Sequence, residues 1–190
     1  LVSYLNISKF IIISHSFAAP IALEYIKSFK ETILGTVFLS PMINLNRNFS
    51  TTVMRPLLKL TKLFDLFPFN SKIGGHIDYT KYFNSFDWSL KRNYADIKNT
   101  TFRVHLYCLR QSFNLTEQEY GLDKIDVPTL IVHGKKDSFV PVKNSVILSK
   151  KIKNSELIII PDIDHIVVLN KVKEVSEAIL NFTKKHFYVS

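Results

Sequence analysis

Residues 10–19 read Phe10-Ile11-Ile12-Ile13-Ser14-His15-Ser16-Phe17-Ala18-Ala19. The bulky apolar run at the start has no polar alternation, which predicts a strand buried on both faces, as in a parallel sheet covered by helices. Directly after it, Ala18, Ala22, Tyr25 (or Ile26) and Phe29 recur at helical spacing, so the chain turns from strand into helix around Ser16. Ser14 and Ala18 stand two positions either side of that serine. A sharp strand-to-helix turn needs small side chains there, because bulk on either flank collides across the turn. Such a turn lifts the Ser16 hydroxyl above the strand end. It also aims the backbone N–H of Phe17 and the helix N-terminus at any developing oxyanion.

Three further runs share the character of the first: Thr36-Val37-Phe38-Leu39, Thr129-Leu130-Ile131-Val132 and Leu157-Ile158-Ile159-Ile160. The third strand is followed by a helical stretch opening at Pro141, a good first-turn residue, with Val142, Val146 and Ser149 on one face. After the fourth, Val172, Val175, Ile179, Phe182 and His186 are spaced three and four apart, the clearest helix in the chain. Strands alternating with helices of this length read as βαβ units and predict an α/β fold with a parallel sheet and helices on both faces.

Residues 42–123 break this rhythm with Pro56, Pro68, Gly74-Gly75 and an aromatic-rich run through Tyr79, Tyr82, Phe83, Phe86 and Trp88. They predict a mostly helical cap inserted between the second and third strands, with helices near 51–67 and 101–119. The expected organisation is one domain: core at 1–41, cap at 42–123, core again at 124–190. Within the cap, Arg55, Lys59 and Lys62 mix with Val53, Leu57, Leu58, Leu60, Leu63, Phe64 and Phe67. That amphipathic pattern suits a helix closing over an apolar pocket and is compatible with contact to an anionic membrane surface.

The third strand runs into Gly134-Lys135-Lys136-Asp137-Ser138-Phe139-Val140-Pro141, placing a carboxylate just beyond its end. The fourth runs into Pro161-Asp162-Ile163-Asp164-His165, placing an imidazole just beyond its own. Parallel strands put their C-terminal ends on one edge, where ligands bind in open α/β sheets. Ser16, Asp137 and His165 are therefore expected to converge there, with Asp162 and Asp164 shaping the histidine loop. Serine is a weak nucleophile until a neighbouring base takes its proton, which makes this grouping chemically suggestive. His15 and His133, inside the same motifs, are read as structural neighbours. Cys108 is expected to be a small core residue.

Composition narrows the alternatives. The 190 residues are 46% hydrophobic and 22% charged, ordinary for a globular domain and unlike disordered or collagen-like chains. One cysteine allows neither an internal disulfide nor a thiolate zinc site, and no apolar run is long enough to span a bilayer. The net charge of +9 permits an anionic partner. No basic cluster alternates with stacking aromatics, however, so no nucleic-acid partner is expected. The chain opens at Leu1 without a recognisable signal peptide, and is read as the C-terminal part of something longer, with a cytoplasmic location expected.

The three motifs, S-H-S-F-A, G-K-K-D-S-F-V-P and P-D-I-D-H, each after its own strand and in the order Ser…Asp…His, resemble those of the α/β-hydrolase fold family. The resemblance covers residues 1–41 and 124–187, with the middle as the family's variable cap. It implies an esterase- or lipase-like serine hydrolase in which Ser16 attacks an acyl carbonyl, His165 takes and returns its proton, Asp137 orients His165, and Phe17 gives an oxyanion-hole N–H. It implies no metal and no organic cofactor, and a small-molecule ester as substrate. The same residues would equally serve a peptidase, a C–C hydrolase or an acyltransferase, and a non-catalytic or truncated hydrolase-fold protein is the remaining reading. The sequence departs from the family at Ser14 and Ala18-Ala19, where glycines are usual, and at Asp164, where a glycine often precedes the histidine. The resemblance also implies four strands ahead of residue 10, with a His-Gly loop giving the second oxyanion donor. Without that donor, which is worth ~10²–10³ in rate, these 190 residues alone are expected to have little activity.

Overall fold

The computed structural model describes residues 2–44, 59–66, 77–113 and 120–188. At its centre lie four parallel strands, β1 (Phe10–His15), β2 (Ile33–Leu39), β3 (Thr129–Gly134) and β4 (Ser155–Ile160), adjacent in sequence order. Each contains one of the four apolar runs. Among the described residues, helices with both ends in view are α1 (Ala18–Ser28), α2 (Leu90–Thr100), α3 (Phe102–Ser112), α4 (Lys143–Lys151), the short α5 (Val167–Asn170) and α6 (Val172–Phe187).

Side-chain alternation along the strands feeds two cores. On one face, Phe38 and Ile131 meet Ala19, Ala22, Leu23 and Ile26 of α1, together with Leu148 and Ile152 from α4 and its end. On the other, Val37, Leu39, Leu130 and Val132 meet Val167, Val175 and Phe182 of α5 and α6. Strands that advance in one direction with crossovers of one hand place their connecting helices on a single face. The helices after the last strand are then free to cover the opposite one. The central strands β2 and β3 are buried almost throughout, whereas β1 and β4, at the two edges, expose Ile13, Ile158 and Ile159. Among the described residues β1 pairs only with β2, which leaves its other edge open.

The helices differ from their sequence expectations in which face turns inward. In α1 Ala22 and Ile26 of the expected stripe are buried, but Ala18 and Phe29 at its ends are exposed, and Ala19 and Leu23 turn inward beside it. In α4, which starts two residues after Pro141, the buried residues are Asn144, Ser145 and Leu148, and Val142, Val146 and Ser149 are only half-buried. The inward polar pair is satisfied: Asn144 Oδ1 accepts from the backbone N–H of Ile43 (2.9 Å) and of Asn44 (2.7 Å), and Ser145 bonds His133. Hydrogen bonds to specific backbone groups, invisible to a periodicity of apolar residues, choose the face.

In the cap, α3 corresponds to the predicted helix near 101–119, of which 114–119 lie outside the described residues. Of the helix predicted near 51–67, only 59–66 are described, with a 3₁₀ segment at Thr61–Leu66 and Leu60 and Leu63 exposed. The helix α2 was not anticipated. Its segment Leu90–Thr100 is rich in Lys, Asn and Asp and carries no broad apolar stripe, and its single buried residue is Arg92. Its start is nonetheless marked by Ser89, whose hydroxyl accepts from the Arg92 N–H. Among the described residues no helix is long and apolar enough to cross a membrane.

Ile131 is fully buried between strands and helix, while Ile158 on the edge strand is 38% exposed. Ile131→Ala is expected to cost about 2–5 kcal/mol in urea denaturation, and Ile158→Ala about 1 kcal/mol or less. Equal costs would contradict this placement of the core.

Candidate active site

Ser16 sits in the turn between β1 and α1 with φ 54°, in the left-handed region that non-glycine residues seldom occupy. Such a conformation costs on the order of 1–3 kcal/mol and persists only where its surroundings fix it. Here the Ser16 N–H donates to the Leu39 carbonyl at the end of β2 (2.9 Å). The Ser16 carbonyl accepts from Ala19 and Met42, both at 3.1 Å. With the Ser16 N–H so engaged, the next amide, that of Phe17, stands at the N-cap of α1, the positive end of the helix.

The acid loop begins where β3 ends. Asp137 N–H donates back to the Gly134 carbonyl (3.2 Å), forming a tight turn that drops the carboxylate beneath the loop. One carboxylate oxygen accepts from the backbone N–H groups of Phe139 (2.9 Å) and Val140 (2.7 Å). The other accepts from His165 Nδ1 (2.7 Å) and lies 3.1 Å from His133 Nε2. Burial pushes this carboxyl up, but the hydrogen bonds from His133, His165 and the Val140 amide outweigh it and hold the group at about 2. Its charge is thereby retained in a fully buried side chain.

His133 is itself fully buried on β3. Its Nε2 faces two acceptors, the Asp137 carboxylate and the Val140 carbonyl (3.1 Å), so the proton belongs there; Nδ1 then accepts from the Ser145 hydroxyl (2.6 Å). Expected to be a structural neighbour, it is one in a specific sense: it holds the carboxylate from below.

The histidine loop follows β4. His165 Nδ1–H donates to Asp137, which leaves the Nε2 lone pair to accept from the Ser16 hydroxyl at 2.7 Å. His15, beside the serine, donates from Nε2 to the His165 carbonyl (3.0 Å) with ring centroids 5.0 Å apart. Burial, and then the neighbouring His165 imidazole, pull its pKa down to about 4 from an ordinary 6.5. Asp164 accepts from the Ile166 N–H and from Asn170 (both 3.2 Å), and Asp162 pairs with Lys136 at the surface. Both aspartates shape the loop, as expected, and neither contacts His165's ring nitrogens. The loop passes so close to the end of β3 that a Cβ on Gly134 would collide with the Asp164 carbonyl and reach within 2.6 Å of the Ile163 carbonyl.

The structure thus brings Ser16, Asp137 and His165 into one hydrogen-bonded line at the C-terminal edge of the sheet. Such a line can move a proton from a hydroxyl to an imidazole whose resulting charge faces a carboxylate. Sequence reasoning missed Asp87. This cap residue is buried, and its Oδ1 accepts from the His165 backbone N–H (2.8 Å) while its Oδ2 accepts from Ser138 N–H (3.0 Å) and Oγ (2.6 Å). The available signal was an acidic residue set in an aromatic run, Phe86-Asp87-Trp88, where an unpaired charge would be costly. Trp88 stacks on Phe139 (centroids 4.2 Å apart), which in turn lies 5.7 Å from the His165 ring. Among the described residues, no group of three or more His, Cys, Asp or Glu side chains is placed to hold a metal ion.

Residues 1–172 match a family model described as alpha/beta hydrolase fold. A protein of Synechocystis sp. that bears the provisional name of non-heme chloroperoxidase is 42% identical over 69 residues, 36% of this chain and 25% of that protein. Monoacylglycerol lipase ABHD6 of Mus musculus is 36% identical over 62 residues, 33% of this chain and 18% of that protein. The aligned stretches thus span a quarter or less of these curated relatives. An esterase from Exiguobacterium antarcticum shares the fold with a TM-score of 0.69 at 18% identity, over 96% of this chain and 69% of its own.

The depressed pKa of His15 sets a pH dependence. Folded, His15 stays neutral down to about 4; unfolded, it takes its proton near 6.5. Between these values the unfolded chain binds more protons, so the stability linked to His15 is complete above about pH 6.5 and lost as pH falls toward 4. His15→Gln keeps a donor for the His165 carbonyl but removes the titration. Across that window, urea denaturation is expected to show the parent protein losing up to about 3 kcal/mol more stability than the variant. Parallel pH dependence in both would refute the assignment.

Proposed function

The chain belongs to the alpha/beta hydrolase fold family, and on that premise we propose that it is the catalytic part of a serine hydrolase cleaving carboxylic esters through Ser16, His165 and Asp137. The observation that carries this reading is the unbroken relay from Ser16 Oγ to His165 Nε2 and from His165 Nδ1 to Asp137, with 2.7 Å at both links. The Ser16 oxygen adds to the acyl carbonyl carbon as its proton passes to His165 Nε2. The imidazolium so formed is stabilised by the ionised Asp137. Negative charge on the carbonyl oxygen is met by the Phe17 N–H at the head of α1. Collapse of the tetrahedral species expels the alcohol, which takes the proton from His165, and leaves an acyl group on Ser16. Water activated by His165 then adds to that acyl group, releases the acid and restores the serine.

For the substrate, we propose a small ester with an apolar acyl group. Support comes from the stacked Trp88 and Phe139 beside His165, and from Phe17, Phe139, Met42 and Val140 clustering near the serine. The names of the relatives, a monoacylglycerol lipase and an esterase, point the same way. Covalent labelling of Ser16 probes the proposed nucleophile without requiring a complete turnover.

A fluorescent alkyl fluorophosphonate is expected to label Ser16, as read by peptide mass spectrometry, and Ser16→Ala to abolish both the labelling and whatever ester turnover the parent protein shows. Labelling elsewhere, or turnover that survives Ser16→Ala, would refute the assignment. In a panel of p-nitrophenyl esters from acetate to laurate, kcat/KM is expected to rise with chain length. A flat profile removes the apolar-acyl proposal. Release of amine, of a C–C cleavage product or of a transesterified alcohol in preference to acid would replace ester hydrolysis by the corresponding reaction.

A further inference from the structure

We propose that Asp87, a residue of the cap, is a positioning residue that couples the seating of the cap to the assembly of the relay; the role rests on the Ser16–His165–Asp137 reading given above. Asp87 is 3% exposed and contacts neither Ser16 nor the ring of His165. Its two carboxylate oxygens instead hold the two loops that carry the relay's other members. Oδ1 takes the backbone N–H of His165 itself, and Oδ2 takes the backbone N–H and hydroxyl of Ser138, the residue next to Asp137. One carboxylate therefore bridges the histidine loop and the acid loop at the relay itself. Nearer the sheet the same two loops are joined by the bond from the Lys136 N–H to the Ile163 carbonyl (2.9 Å), which leaves the outer ends at His165 and Ser138 to Asp87.

Asp87 is held in turn from the cap side. Arg92 of α2, also 3% exposed, donates from its guanidinium to the carbonyl of Asp87 (2.6 Å) and that of Phe86 (3.1 Å), and its Nε lies 3.7 Å from the Asp96 carboxylate. The planar fork of arginine suits two adjacent carbonyls, which lysine cannot match. A second tie runs in parallel: Asn170 Nδ2 donates to the Ser85 carbonyl (2.9 Å) and lies 3.2 Å from Asp164 in the histidine loop. Beside Asp87, the indole N–H of Trp88 donates to the Ser138 hydroxyl (2.9 Å) and its ring stacks on Phe139. The order of dependence is Arg92, then the loop at 85–88, then Asp87, then the spacing of Asp137 and His165. If the cap lifts, the His165 amide and the Ser138 amide lose their common acceptor, and the relay loosens without any change in its own residues.

Trp88 is the chain's single tryptophan, so its fluorescence reports the seating of this loop directly. The test compares Asp87→Asn, Asp87→Ala, Ser138→Ala and Arg92→Lys with the parent protein by three readouts. These are the rate of fluorophosphonate labelling of Ser16, the downfield NMR resonance of the proton between His165 and Asp137, and Trp88 emission, all taken well below each variant's melting temperature. Only the first depends on Ser16 chemistry, so failure of the hydrolase reading would silence labelling in the parent protein and leave the other two readouts intact. Asp87→Asn and Asp87→Ala are expected to slow labelling by ~10–10²-fold, as a misplacement of about 1 Å does, to broaden or lose the downfield resonance, and to change Trp88 emission as the indole loses its bond to Ser138 and its stack on Phe139. Arg92→Lys is expected to do the same to a smaller degree and keeps the proposal testable if the Asp87 variants fail to fold. Ser138→Ala, which removes the hydroxyl bond to Asp87 but keeps both backbone bonds, is expected to slow labelling less than Asp87→Asn does. Folded Asp87 or Arg92 variants with an unchanged resonance and labelling rate would overturn the proposal. So would Ser138→Ala matching the loss in Asp87→Asn, because the effect would then lie in the Trp88 seat and not in the backbone clamp.

Discussion

An ionised carboxylate with no exposed surface is costly unless every lone pair is engaged, because the desolvation penalty amounts to several kcal/mol per ion. Asp137 meets that condition with four donors from three places: the Phe139 and Val140 amides of its own loop, His133 on β3, and His165 from the loop after β4. Much of the surrounding structure is arranged to supply them. The turn at Gly134 directs the carboxylate inward. Ser145 on α4 fixes the His133 ring so that Nε2 carries the proton. The histidine loop must approach β3 closely enough for His165 to reach the same oxygen, which is why only glycine fits at position 134. The same bonds that satisfy the buried charge orient the imidazole toward Ser16, so the electrostatic requirement and the geometry of the site have one solution.

The serine side of the site is held by a different constraint. The left-handed backbone at Ser16 is locked by bonds to Leu39 at the end of β2 and to Met42 beyond it. The nucleophile candidate therefore depends on the neighbouring strand more than on its own helix. Both neighbours of β2 deliver a member of the relay, Ser16 after β1 and Asp137 after β3, and β4 delivers His165. The parallel register makes all three loops emerge from one edge. Function resides in these loops and not in the sheet, since the same sheet supports many chemistries.

Around the relay lies a layer of buried and half-buried polar groups: His15 bonds the His165 carbonyl, Asp87 the His165 and Ser138 amides, Arg92 the Asp87 carbonyl, and Asn170 both Ser85 and Asp164. In a low-dielectric interior such networks are rigid when fully satisfied and costly when broken. The loops bearing Asp137 and His165 are thereby bonded to the segment at 85–92, on which the proposed role of Asp87 rests.

The strands, the sharp turn at Ser16, and the loops bearing Asp137 and His165 were legible in the sequence, because burial on both faces leaves uninterrupted apolar runs and loop chemistry follows directly after them. The buried faces of α1 and α4 were read partly wrongly, and α2 and Asp87 were not read at all. Their placement rests on polar contacts to other segments of the chain: Asn144 with Ile43 and Asn44, Ser145 with His133, and Asp87 with His165 across 78 positions. By itself, then, the sequence determined the order of elements, the parallel sheet and which three side chains would share an edge, since hydrophobic periodicity is a local signal. Only the tertiary structure decided how those side chains are held at hydrogen-bonding distance, since a buried polar group takes its meaning from a partner that its own segment does not contain.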